Sequence, residues 1–411
     1  MSDSPAVRRL SAWDRETLRA LAEEYGTPLY VQDLDRVREN ARRVQAAFDR
    51  EDVSYAVKAN TTRRVLETLA ATGVGAECAS AGELQRALDA GFPGEAVRYT
   101  AVNPPARDLD HVVDLADDHD IVVTVGAADT LDRLAERGYD CRLCVRVNPG
   151  VGTGHHEKVT TGSEPKFGVP AGRVPDIVAT AREGFDVVGL HAHAGSGIHG
   201  EADLATHREF VSRVADIACE VLADGSLAFV NVGGGFGVPY RPEEAPLDLN
   251  AVAAATREAF GDVDATLGVE PGRYVVADAG VLLGRVNTVK PTPETLAVGV
   301  DAGMTTLIRP ALYDSYHELR NVAPGAANRE TVATTVAGPI CETADVLARD
   351  RAIARPERGD LLAVGSAGAY GYEMASQYNS RPRPAVVATE GGDASLAVRR
   401  ERLGDLTRLE R

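Results

Sequence analysis

Eight short apolar runs, each followed by a stretch with helical spacing, occupy the chain from about Val53 to Glu270. The runs are Val53–Val57, Val74–Glu77, Val97–Thr100, Ile121–Val125, Cys141–Val147, Val187–His193, Ala228–Val232 and Leu267–Glu270. Between them lie amphipathic stretches such as Thr62–Ala71, Ala81–Ala90 and Ala202–Leu222. Short runs alternating with helical periods specify parallel strands joined by crossover helices. Eight such units in about 220 residues fit a closed (β/α)8 TIM barrel, an α/β fold that usually takes about 250 residues.

After about Tyr274 the texture changes. Gly280–Val289, Thr295–Val300, Thr331–Val336 and Asp360–Val364 are β-branched runs with Gly and Pro between them. They predict a second, mostly β domain of sandwich or barrel-like form. Pro28–Val31 reads as a strand ahead of the barrel, so residues 1–30 are expected to join that β domain. The expected organisation is a barrel over 31–275 and a β domain over 276–411, two domains being the prior for 411 residues.

Charge and composition narrow the partners. A net charge of −17 repels phosphate backbones, so no nucleic-acid partner is expected. Lysine occurs only at Lys58, Lys158, Lys166 and Lys290, and such a lysine-poor, acid-rich chain suggests a surface suited to high salt. Few residues are therefore available wherever an amine is required. No run approaches a membrane span, and Met1–Leu10 lacks the apolar core of a secretory signal, so a soluble cytoplasmic protein is expected. The cysteines Cys78, Cys141, Cys144, Cys219 and Cys341 are odd in number and scattered, which argues against disulfides. Cys141 and Cys144 form a CxxC inside a strand-like run, where packing is the simpler reading than zinc or redox chemistry.

Active sites of barrels of this kind lie at the C-terminal ends of the strands. Lys58 ends the first strand in Tyr55-Ala-Val-Lys-Ala-Asn60. There a partly desolvated amine would have a lowered pKa and could form a Schiff base, although a lysine that merely snorkels from a strand end fits equally. The sixth strand ends in Gly189-Leu-His-Ala-His-Ala-Gly-Ser-Gly197, two histidines at i, i+2 facing one way. A metal site lacks further ligands, since His155 and His156 sit in a Gly-rich loop without zinc-enzyme spacing. Gly-Ser-Gly favours an anion cradle, and one histidine alone reads as a hydrogen-bonded core residue. The seventh strand ends in Asn231-Val-Gly-Gly-Gly-Phe-Gly237, permissive backbone for approaching an anion but without dinucleotide spacing.

The eighth strand ends in Glu270-Pro-Gly-Arg273. Loops after strands seven and eight commonly bind phosphate in this fold, and Arg273 offers a planar fork. Glu270, an acid amid groups arranged for anions, needs a cationic partner, which a protonated pyridinium would supply. A surface capping carboxylate is the alternative. In the β domain, Gly338-Pro-Ile-Cys-Glu-Thr-Ala-Asp345 sets a thiol beside a carboxylate, where inert buried packing is the competing reading for Cys341. Arg309-Pro-Ala-Leu-Tyr313 and Gly368-Ala-Tyr-Gly-Tyr372 add an arginine and phenols suited to a zwitterionic substrate.

Together with Asn148-Pro-Gly, Lys166-Phe-Gly, Ser366-Ala-Gly-Ala-Tyr and Tyr378-Asn-Ser-Arg-Pro-Arg-Pro, these motifs resemble the diaminopimelate decarboxylase family from Tyr30 to Pro384. That family lies within the fold-type III pyridoxal-phosphate enzymes, alongside ornithine decarboxylase and alanine racemase. The resemblance implies a pyridoxal 5'-phosphate enzyme that converts meso-2,6-diaminopimelate to L-lysine and carbon dioxide. It implies that Lys58 holds the cofactor covalently and His193 stacks on its ring. Ser196, Gly233, Gly234, Gly235, Gly237, Gly272 and Arg273 would hold its phosphate, and Glu270 would pair with its ring nitrogen. By the same resemblance Tyr370 contacts phosphate and substrate. Arg273, Arg309 and Tyr313 grip the distal carboxylate, Glu342 meets the distal ammonium, and Cys341 donates a proton to the α-carbon.

Cys341 and Glu342 reach the site from the other subunit in that family, which implies a homodimer. Thr343-Ala344 departs from a commoner Ser-Gly, and Ala192 from a commoner Cys. Ornithine, arginine and carboxynorspermidine decarboxylases are the nearest rivals. A diamine-type substrate would leave Arg309 without a carboxylate, and ornithine enzymes resemble Cys-Asp where this chain has Cys341-Glu342. Racemases of this fold use a β-domain Tyr as acid, and a non-catalytic cofactor carrier resembles the barrel alone.

Overall fold

The computed structural model describes residues 6–154 and 165–411, and the chain divides into two compact units. One, the barrel unit, comprises Arg38–Gly237 and Leu247–Val275; the other, the sheet unit, comprises Met1–Val37, Val238–Pro246 and Val276–Arg411.

The barrel expected from the alternation is present. Its strands are Asp52–Ala56, Gly75–Cys78, Val97–Tyr99, Val122–Val125, Arg142–Asn148, Asp186–His191, Phe229–Asn231 and Thr266–Val269. Each pairs in parallel with its neighbours, and the ring closes between the eighth and first strands through Val269↔Val53. Val169–Pro170 adds a short parallel pairing at the end of the fifth strand. Small residues set some approaches: a Cβ on Gly189 would lie 2.5 Å from the Phe229 ring on the adjoining strand.

The crossover helices bury one stripe each. In Arg63–Ala70, Val65, Leu66 and Leu69 face inward at i, i+1 and i+4. In Glu201–Leu222, Leu204, Phe210, Val211, Val214, Ala218 and Val221 do the same. Ser80 starts the helix Ala81–Asp89 by accepting the Glu83 N–H, and Asp248 starts Leu249–Phe260 by accepting from Asn250 and Ala251.

In the sheet unit, the long strand Gly280–Pro291 organises the rest. It pairs antiparallel with Leu29–Asp33, Leu361–Val364 and Leu296–Val300. Leu29–Asp33 also runs parallel to Ala385–Glu390, and Thr331–Ala337 and Val346–Ala354 extend the sheet beyond Leu296–Val300. Both faces of the sheet are covered. Tyr30, Leu282, Val364 and Val386 enter one core, while Leu29, Val31, Val281, Leu283, Ala363, Ala385 and Val387 enter another with Leu18 and Leu21 of the N-terminal helix. Two-sided burial explains why these strands read as continuous apolar runs and not as strict alternation.

Candidate active site

At the C-terminal mouth of the barrel the ends of five strands bring charged and polar side chains together. The first strand stops at Ala56, two residues before Lys58, and the chain turns through a single 3-10 turn, Val57–Ala59. That turn sends Lys58 Nζ to within 3.4 Å of Glu77 Oε2 at the end of the second strand. The Glu77 side chain is 2% exposed and that of Lys58 37%. Burial pushes the Glu77 carboxyl up, and the Lys58 charge opposes that shift.

Glu270 follows the eighth strand and is buried. His191 Nε2, on the last residue of the sixth strand, lies 3.0 and 3.1 Å from its two oxygens. A carboxylate only accepts, so Nε2 carries the proton and donates to both. Burial alone would raise the Glu270 pKa, but His191, Lys58 and His193 outweigh it and hold the carboxyl below the usual range. His191 Nδ1 is buried with no hydrogen-bond partner among the described residues.

His193 stands two residues beyond the strand end, its Nδ1 accepting the Gly234 N–H at 3.2 Å and lying 3.9 Å from Glu270. Burial and the Lys58 charge push its imidazole down to about 3, so it is neutral near pH 7. In the seventh-strand loop the Gly233 N–H goes to Asn231 Oδ1 and the Gly237 N–H to Ile198 O. The amides of Gly233, Gly234 and Gly237 are thus spent within the protein. These glycines serve close packing of the loops: a Cβ on Gly234 would sit 2.4 Å from the Glu270 carbonyl oxygen, and Gly233 and Gly235 have φ of 79° and 90°.

Arg273 Nη2 donates to Ser196 Oγ at 3.2 Å, which sets a cation and a hydroxyl together. Gly272 lets this loop approach the lysine turn, since a Cβ there would meet those of Ala59 and Ala56 at 3.0 and 3.1 Å. Arg146, in the fifth strand, is buried with its guanidinium 5.1 Å from the Phe167 ring centroid. Burial lowers its pKa, against the pull of Glu270 and Glu77. The sequence did not single out Glu77 or Arg146 for this cluster, and it marked His191 only as one of two histidines facing one way, without its bond to Glu270; the available signal was a charged or polar side chain inside an otherwise apolar strand.

The remaining expected residues lie in the sheet unit. Arg309 opens the short helix Arg309–Tyr313 and is buried. Tyr370 adopts φ 53°, a left-handed conformation unusual for a tyrosine. Cys341 and Glu342 are exposed, which removes the inert-packing reading of that thiol. Their turn is anchored by buried Asp345, whose carboxylate accepts the Ile340 and Met304 N–H groups at 2.9 and 2.6 Å. In the CxxC, Cys144 is buried while Cys141 is exposed, and all five cysteines are free. His155 and His156 lie outside the described residues, among which no His, Cys, Asp and Glu grouping suits a metal ion. Nor, among them, is any helix long and apolar enough to cross a membrane.

Residues 34–277 match the family model for the pyridoxal-binding domain of pyridoxal-dependent decarboxylases. The chain is 43% identical over 404 residues to a diaminopimelate decarboxylase of Methanothermobacter thermautotrophicus, covering 94% of this chain and 92% of that one. It is 39% identical to the enzyme of that name from Deinococcus radiodurans, over 95% of this chain and 98% of its relative. Among solved structures, the Helicobacter pylori diaminopimelate decarboxylase complexed with L-lysine superposes with a TM-score of 0.89 at 33% identity, covering 96% and 99% of the two chains. A Vibrio vulnificus lysine/ornithine decarboxylase shares the fold at a TM-score of 0.79 and 24% identity, covering 93% and 99%.

Proposed function

This chain belongs to the diaminopimelate decarboxylases, within the pyridoxal-dependent decarboxylases, and we propose that it removes one carboxylate of meso-2,6-diaminopimelate as carbon dioxide. The product is L-lysine, so the reaction is the last step of lysine biosynthesis by the diaminopimelate route. The observation that carries the reading is an amine, Lys58, just past the first strand, with a buried carboxylate, Glu270, just past the adjoining eighth strand, whose charged form the Lys58 and histidine charges favour against burial.

Pyridoxal 5'-phosphate fits this donor set. An aldehyde requires an amine, a phosphate requires cations and hydroxyls such as Arg273 with Ser196, and a protonated ring nitrogen requires a buried anion. When bound, the cofactor supplies an electron sink for the bond to the departing carboxylate. Lys58 would hold it, with the Glu77 carboxyl 3.4 Å from the amine. Glu270 would favour the protonated ring nitrogen as its counter-charge, and neutral His193 would offer a flat face to the ring without adding a charge. Gly233, Gly234, Gly235 and Gly237, with Gly272, would let the loops close around the phosphate; the Gly233, Gly234 and Gly237 amides are already bonded within the protein, so they would contribute close approach and not N–H donors.

Substrate recognition falls to Arg273, Arg309, Tyr313, Tyr370 and Glu342. Two carboxylate-binding arginines and one acid match the distal end of an amino acid, which fixes which end reacts. Cys341 delivers the proton that replaces carbon dioxide at the α-carbon. It and Glu342 act in the partner subunit of a homodimer, and their exposure in the single chain is what such a role requires. The protein works in the cytoplasm, and its charge of −17 suits a concentrated salt solution.

The test is reconstitution with pyridoxal phosphate, followed by borohydride and peptide mapping, with carbon dioxide release measured from labelled meso-diaminopimelate, ornithine and arginine. Cofactor mass on the Lys58 peptide and release from meso-diaminopimelate are expected. Release from a diamine precursor alone would overturn the substrate assignment, and an unmodified Lys58 the whole reading.

A further inference from the structure

Arg309 is 2% exposed, and a buried guanidinium demands acceptors. Its Nη1 donates to Tyr240 Oη at 2.7 Å and to His317 Nε2 at 3.3 Å, while Nη2 donates to Ser315 Oγ at 3.3 Å. The Tyr240 ring also lies against the guanidinium, 4.7 Å from centroid to Cζ, and meets the His317 ring edge-on at 5.2 Å and 74°. Three side chains therefore define the guanidinium plane from two of its nitrogens and one face.

The partners of His317 fix its protonation. Its Nδ1 is 2.9 Å from the Gly365 carbonyl oxygen, which can only accept, so Nδ1 carries a proton. Its Nε2 faces Arg309 Nη1, which can only donate, so Nε2 presents a lone pair. The ring is 0% exposed and held as one neutral tautomer.

Tyr240 comes from an unexpected place in the chain. It lies in Val238–Pro246, which follows the glycine loop of the barrel but folds with the sheet unit. The segment is built as a turn: the Tyr240 and Arg241 N–H groups donate to Glu244 Oε2 at 2.8 and 3.0 Å. Arg9 further pins it by donating to the carbonyls of Arg241 and Glu244 at 2.8 and 2.6 Å.

We propose that Tyr240 and His317 are positioning residues that orient the Arg309 guanidinium, and through it set the preference for a ligand bearing a distal carboxylate over the corresponding one that lacks it. The inference rests on the assignment of Arg309 to that carboxylate. A guanidinium binds carboxylate best through two parallel N–H bonds, which need a fixed plane. Holding the plane before the ligand arrives removes an ordering cost that a free arginine would carry. A ligand without the carboxylate gains nothing from the clamp.

The experiment uses the holoenzyme and its Tyr240→Phe, His317→Phe, His317→Gln and Arg309→Ala variants. It measures kcat and KM for meso-diaminopimelate, and dissociation constants for lysine, which keeps the distal carboxylate, and for 1,5-diaminopentane, which lacks it. Tyr240→Phe and His317→Phe are expected to raise KM and weaken lysine about tenfold, the loss of one hydrogen bond to a charged group. Their kcat and diaminopentane binding should stay near the parent values. His317→Gln, which can present an acceptor to Arg309 and a donor to Gly365, should recover most of the lysine affinity. If His317→Phe does not fold, the isosteric Tyr240→Phe and the His317→Gln rescue decide. Unchanged lysine binding in Tyr240→Phe, while Arg309→Ala weakens it, would overturn the positioning role alone. Equal weakening of lysine and diaminopentane would overturn it as well. Unchanged lysine binding in Arg309→Ala would remove the assignment of Arg309 and the inference with it.

Discussion

The Lys58 amine and the Glu77 carboxylate lie 3.4 Å apart, one at the rim and one nearly sealed from water. Burial pushes the Glu77 carboxyl up against the pull of Lys58, so without the amine it can take up a proton, and removing the amine should leave the barrel folded while ending turnover. For Lys58→Ala we expect parent-like far-ultraviolet circular dichroism and no measurable carbon dioxide release. Unfolding of that variant would show the lysine to be structural. Cys341 makes the complementary case. It is exposed, so Cys341→Ala removes no packing, and loss of a proton donor is expected to lower kcat by about a hundredfold or more with little change in KM. A proportional rise in KM would place the thiol in binding. Lys58, Glu270 and Arg273 were legible because each ends an apolar run at a barrel mouth. Glu77 and Arg146 were not, and His191 stood out only as one of a pair, since the significance of all three lies in partners far along the chain. His191 and Glu270 are 79 residues apart, and only barrel closure joins them.

Elements were read well in kind and less well at their ends. The run Val53–Val57 contains a strand to Ala56 and then a 3-10 turn in which Val57 and Ala59 are still buried, so the apolar pattern runs on past the end of the strand. Local capping is two-sided in the helix Ala81–Asp89. Ser80 Oγ accepts the Glu83 N–H at 3.2 Å and Glu83 Oε2 accepts the Ala79 N–H at 2.7 Å, so Ser80-Ala-Gly-Glu83 caps the helix with Glu83 reaching one residue beyond the N-cap. Burial nevertheless pushes the Glu83 carboxyl up from 4.5 to about 7, outweighing the backbone hydrogen bond that lowers it. A carboxyl whose pKa is raised on folding contributes stability below its unfolded value, and that contribution disappears as pH rises through the folded value. The window is therefore pH 4.5 to about 7, and the shift corresponds to a loss of on the order of 3 kcal/mol above it. Glu83→Gln keeps the acceptor for Ala79 and cannot ionise. Urea unfolding at pH 5 and pH 8 should show the parent losing stability relative to Glu83→Gln at the higher pH. A pH-independent difference between them would mean that Glu83 is not buried as an acid.

At the scale of the whole molecule, composition and assembly matter more than any single contact. With a net charge of −17, mutual repulsion opposes the compact state unless salt screens it, and the screening length falls to about 3 Å at 1 M. The melting temperature should accordingly rise between 0.1 and 2 M potassium chloride by several degrees, and a flat scanning-calorimetry profile would refute the high-salt reading. The excursion Val238–Pro246 shows what no local pattern carries: its residues look like a loop, and their membership of the sheet unit is decided by Glu244, Arg9 and Arg309. The proposed homodimer is the other property of this scale, and it makes a quantitative demand. If Lys58 and Cys341 of different subunits serve one site, Lys58→Ala and Cys341→Ala chains are each nearly inactive alone yet complementary. Random exchange of equal amounts makes half of the dimers mixed, and each mixed dimer holds one site with both residues intact. Mixing the two inactive proteins under exchange conditions should therefore restore about a quarter of the parent activity. Carbon dioxide release that stays at the sum of the separate variants would mean that each site is built from a single chain.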